Sequence, residues 1–90
     1  MGRYLVERSL PEGFALPVDE AGRQVCGELL GNNAECRAAW VHSYVTADRR
    51  KMSCIYDAVL PEAIRAAAER NGLRVDSMIE VRVLDPHFYA

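Results

Sequence analysis

The chain has 90 residues, with 11 basic against 13 acidic side chains and a formal net charge of −2. This length supports one hydrophobic core, so residues 1–90 are expected to form a single domain. Charges of both signs are interspersed, which leaves no electrostatic footprint for nucleic acid or an anionic membrane and excludes both as expected partners.

A domain of this size buries only about 60% of the surface its unfolded chain exposes, so burial against a second copy is favoured and a homodimer is expected. No apolar run approaches the ~20 residues of a spanning helix, and the opening residues alternate instead of forming a signal segment. The cytoplasm is the expected location. Cys26, Cys36 and Cys54 show neither CxxC nor CxxH spacing, which argues against a disulfide framework and a structural zinc site.

Along the chain, Tyr4 to Arg8 alternates as a first strand, and Pro11-Glu12-Gly13 opens a turn and an irregular stretch that ends near Pro17. Helical spacing follows from Asp19 to about Asn33, with Val25, Cys26, Leu29 and Leu30 as its apolar stripe. Trp40 to Val45 and Lys51 to Asp57 are rich in β-branched and aromatic residues, and the polar segment between them suits a hairpin. Pro61 fits the first turn of a second helix whose buried stripe is Ala63, Ile64, Ala67 and Ala68 and whose end is Asn71-Gly72. Leu60, just before it, cannot cap as Ser or Thr would. Met78 to Leu84 supplies a last strand before Asp85-Pro86.

The order β-α-β-β-α-β predicts an α+β, ferredoxin-like sandwich, a four-stranded antiparallel sheet with both helices on one face. Strand alternation then sorts side chains by face. Tyr4, Val6, Val41, Val45, Ile55, Ile79, Val81 and Val83 are the expected helix-covered core. Leu5, Glu7, Trp40, His42, Tyr44, Met52, Cys54, Tyr56, Glu80 and Arg82 are the expected open face. That second set mixes large aromatics with titratable groups, and so much apolar surface should meet another subunit, a ligand or both.

On that face His42, Glu7, Glu80 and Cys54 offer imidazole, carboxylate and thiolate, a donor set suited to nickel, zinc or cobalt. The same residues also suit an interfacial imidazole hydrogen-bonded to a carboxylate, with Glu80 or Glu7 paired to Arg82. Trp40, Tyr44, Tyr56 and Arg82 would line a pocket beside them. His87, in the aromatic tail, is a peripheral candidate ligand, and Glu12, Asp19 and Glu20 stand where acidic residues favour a helix start. No nucleophile motif surrounds Ser43, so no catalytic residue is assigned, and the pattern of an RNA-recognition strand is absent from Lys51 to Tyr56.

The segments Arg3-Tyr4-Leu5-Val6-Glu7-Arg8, Trp40-Val41-His42-Ser43-Tyr44-Val45, Tyr56-Asp57-Ala58, Pro61-Glu62-Ala63-Ile64-Arg65 and Glu80-Val81-Arg82-Val83-Leu84-Asp85-Pro86 closely resemble the bacterial family catalogued as domain of unknown function 4242. The resemblance covers nearly the whole chain. It implies a ferredoxin-like homodimer and, through a member described as nickel-responsive, binding of nickel; Leu60 stands where relatives commonly have Thr. The expected function is therefore buffering or sensing of nickel, or another divalent transition metal, by a cytoplasmic homodimer. The rival expectation is a small-molecule enzyme or carrier of the dimeric α/β barrel type, resembling monooxygenases and cyclases, that uses the open sheet face.

Overall fold

The computed structural model describes residues 1–10 and 19–89. The expected turn at Pro11-Glu12-Gly13 and the stretch up to Pro17 lie outside them. In chain order the elements are β1 (Gly2–Ser9), α1 (Glu20–Glu35), β2 (Ala38–Val45), β3 (Lys51–Ala58), α2 (Pro61–Arg70), β4 (Ser77–Val81) and a short 3-10 helix (Pro86–Tyr89). The four strands form one antiparallel sheet in the order β2-β3-β1-β4, the ferredoxin-like arrangement expected.

Local chemistry explains the boundaries. Asp19 caps α1, its Oδ1 accepting from the Gly22 N–H at 2.9 Å. Pro61 starts α2 behind Leu60, which makes no side-chain cap bond, and Gly72 just past the helix takes a φ of +67° that only glycine adopts cheaply. In the β2–β3 hairpin, Thr46 and Lys51 pair through Thr46 N–H to Lys51 O (2.9 Å) and Lys51 N–H to Thr46 Oγ1 (3.1 Å). β4 ends at Val81, so Val83 and Leu84 lie outside the sheet and are exposed.

The core lies between α2 and one side of the sheet. Ile64 and Ala67 of α2 cluster with Tyr4 and Val6 of β1, Ala38 of β2, and Met52, Cys54, Tyr56 and Ala58 of β3. α1 packs on α2 and β2. Two amide bridges tie the helices, Asn32 Nδ2 donating to Asn71 Oδ1 (2.8 Å) and Asn71 Nδ2 donating to Asn33 Oδ1 (3.2 Å). The expected stripe of α1 is only partly covered: Val25 and Leu30 are exposed, Cys26 and Leu29 half-buried.

Tyr4 and Val6 are on the helix side as expected. β3 is inverted relative to expectation. Its helix-side set is Met52, Cys54, Tyr56 and Ala58, and Ile55 faces the other way. Read over the full strand, that set is apolar throughout, whereas Lys51, Ser53 and Asp57 accompany Ile55 on the opposite face. β4 is inverted too: Met78 packs on the core, while Ile79 and Val81 lie on the open face, opposite Leu5 and Arg3 of β1.

Candidate functional site

Three rows of cross-strand neighbours make the open face. Ala39, Asp57, Arg3 and Val81 form the first, His42, Ile55, Leu5 and Ile79 the second, and Tyr44, Ser53, Glu7 and Ser77 the third. The middle row is apolar apart from its imidazole. Tyr44 is 68% and Ile79 61% exposed, and Leu5, Ile55 and Val81 are half-buried, so a band of apolar side chains faces water across all four strands.

His42 reaches this face through an irregularity in β2. The pairing steps from Trp40 opposite Tyr56 to His42 opposite Ile55, which leaves Val41 as an extra residue, a β-bulge. Without it Trp40 and His42 would share a face. With it Trp40 lies on the helix side, where its Nε1 donates to Ser43 Oγ at 2.8 Å, and His42 stands on the other side. The His42 and Tyr44 rings meet edge to face, their centroids 5.2 Å apart at 85°.

In the first row Arg3 and Asp57 form a two-pronged ion pair, Nε to Oδ1 at 2.8 Å and Nη2 to Oδ2 at 3.0 Å. The guanidinium holds the Asp57 carboxyl below its usual range, mainly through that hydrogen bond. Asp57 is thus engaged within its own chain.

The expected metal quartet is divided by the sheet. His42 and Glu7 are on the open face, about 12 Å apart at Cα from strand spacing and rise. Cys54 is 1% exposed on the helix side. Glu80 is opposite Tyr4, also on the helix side, and its Oε2 converges with the Tyr4 hydroxyl over Gly2, where a Cβ would stand 2.9 and 3.0 Å from them. Burial first, and then the Glu80 carboxylate, push the Tyr4 phenol up. Among the described residues no three His, Cys, Asp or Glu side chains gather closely enough to hold a metal ion.

The expected pocket is divided in the same way. Trp40 and Tyr56 belong to the helix side, and Tyr44 to the open face. Arg82 is exposed just beyond β4, beside an open recess of about 390 Å³ between Gly2 and Arg3 at the start of β1 and Glu80 at the end of β4. His87 is exposed in the 3-10 helix, its backbone N–H donating to Asp85 Oδ1 at 2.9 Å.

Arg8 escaped the sequence reading. It shares parity with Tyr4 and Val6, which is the signal that could have placed it on the helix side, and it is 2% exposed there. Its Nη2 donates to the Tyr56 hydroxyl at 3.5 Å, and among the described residues its Nε and Nη1 have no partner.

A search of curated proteins finds no match. Among solved structures the chain is similar to SCO4226 from Streptomyces coelicolor A3(2), with a TM-score of 0.69 over 92% of this chain and 99% of that one. At 14% identity, that likeness establishes the ferredoxin-like fold. A family model described as "Nickel responsive protein SCO4226-like" matches residues 4–81, which include both helices and all of the four strands but the first two residues of β1. The chain belongs to the SCO4226-like family of nickel responsive proteins.

Proposed function

We propose that this chain binds nickel as a cytoplasmic homodimer closed through the open sheet face, and serves in buffering or sensing the metal. The observation that carries the reading is the position of His42, an imidazole set by a bulge into an otherwise apolar, unpartnered row of the sheet in a member of a nickel-responsive family. Two sheets stack at about 10 Å, and apolar faces of this kind are what such stacking buries. Pairing two copies doubles every donor on the face. Ligands that stand too far apart in one chain, His42 and Glu7 foremost, can then meet across the interface. Imidazole with carboxylate suits nickel and neighbouring divalent metals.

Cys54 and Glu80 do not belong to this site, because the sheet separates them from His42. The small-molecule enzyme reading lacks comparable support, since its three aromatic residues do not share a face. The deciding experiment is calorimetric titration of tag-free protein with nickel, repeated on His42→Ala and across pH. Affinity should fall at least tenfold in the variant, and should fall in the wild type as the solution is acidified, because protons compete with the metal for imidazole and carboxylate donors. Nickel affinity unchanged in His42→Ala removes His42 from the site.

A further inference from the structure

Arg8 lies on the side of the sheet that the nickel reading does not use. A guanidinium stays protonated under all ordinary conditions, and a buried one is costly unless an anion or several acceptors surround it. Here the side chain is 2% exposed and its sole partner among the described residues is the Tyr56 hydroxyl, at the 3.5 Å outer limit of a hydrogen bond. Most of its N–H donors are unspent.

Two side chains beside it add further donors. Burial holds the Tyr56 phenol up and therefore protonated, and because its oxygen accepts from Arg8, its own O–H remains to be given. Cys54, two residues before Tyr56 and opposite Val6, is a buried free thiol beside that phenol, and an S–H is a weak donor. A fixed positive charge, a phenolic proton and a thiol proton lie together under the helix layer, and among the described residues no carboxylate is paired with the guanidinium. A single anion would satisfy all three at once.

We propose that the helix side of the sheet holds a binding site for a small carboxylate, built from the Arg8 guanidinium with the Tyr56 hydroxyl and the Cys54 thiol. The guanidinium supplies charge and a planar fork that matches a carboxylate. Tyr56 adds direction. Val6, two residues before Arg8 on the same face, and Met52, opposite it, are buried and apolar, surroundings that favour a small ligand with a single charge.

The test uses tag-free full-length protein, with formate and acetate as probes and sulfate as a control for general salt effects. The melting temperature should rise saturably with either carboxylate, whereas sulfate should act only in proportion to its concentration. Calorimetry should give one carboxylate per chain. Arg8→Met should weaken binding at least about tenfold, the loss of a charge-assisted hydrogen bond, and should raise the melting temperature in carboxylate-free buffer by removing the unpaired charge. Tyr56→Phe, which keeps the ring, should weaken binding severalfold, and provides the answer if Arg8→Met does not fold. No saturable response to either carboxylate, or an equal response in Arg8→Met or Tyr56→Phe, overturns the proposal. Nickel affinity should not change in either variant, so this site and the His42 site can fail separately.

Discussion

Ile64 and Ile79 are the same residue in opposite surroundings, and truncating each to alanine measures the face assignment directly. Ile64 is 1% exposed among Tyr4, Val6, Cys54 and Ala67, while Ile79 is 61% exposed on β4. Ile64→Ala removes three buried carbon groups, worth about 2.4 kcal/mol by transfer. A cavity contribution brings the expected loss to about 3–4 kcal/mol. For a domain of this size that is a fall in melting temperature of roughly 12–32 °C. Ile79→Ala should change the stability of an isolated chain by no more than about 0.5 kcal/mol. Urea unfolding followed through the single tryptophan, Trp40, gives both values. Repeating the series at rising protein concentration adds the second half of the test. If two open faces pair, the Ile79→Ala penalty should grow with concentration while the Ile64→Ala penalty in the chain itself does not. Equal penalties for the two variants, at a concentration where sedimentation shows single chains, would refute the pleat described here.

Acid should destabilise the fold within a defined window. The carboxyls of Asp57, Asp76 and Asp48 are held below their usual range, chiefly by hydrogen bonds from Arg3, Ser9 and Thr46 respectively. A lowered folded-state pKa means weaker proton binding when folded, so this stability is present above the ordinary value of about 3.9 and is lost as pH falls through the folded values. Urea midpoints should be level between pH 5 and 7 and drop below about pH 4, and Asp76→Asn should flatten that drop. Tyr4 and Tyr56 are shifted upward, so their contribution is lost at the other end, as pH rises above about 10. Leu60→Ser should stabilise α2 by about 1 kcal/mol, because the position makes no cap bond and the leucine it replaces is exposed; an unchanged urea midpoint would show that the new hydroxyl does not cap.

The element order was readable because each boundary carries its own chemistry: Asp19 before α1, Pro61 opening α2, Gly72 closing it, a polar loop between two β-rich runs. Face assignment was readable in β1, where Tyr4 and Val6 oppose Glu7, and in the second half of β2, where His42 and Tyr44 oppose Val45. In β3 the β-branched Ile55 outweighed Cys54 and Met52 in the sequence reading, although its own set contains Lys51, Ser53 and Asp57. In β4 the more apolar set is the exposed one. A rule that sends apolar residues inward fails where a surface is itself apolar, and that failure is the feature that marks the open face as one to be covered. The bulge at Val41 leaves no mark in composition, so the separation of Trp40 from His42 could not be read from spacing.

That single unpaired residue has an evolutionary corollary. Deleting Val41 would return β2 to uninterrupted alternation and leave Trp40 opposite Tyr56 and His42 opposite Ile55, because the bulge absorbs the one extra residue. Among descendants of one ancestral sheet, a one-codon insertion or loss at this point could therefore pass without moving any side chain of β2 from one face to the other.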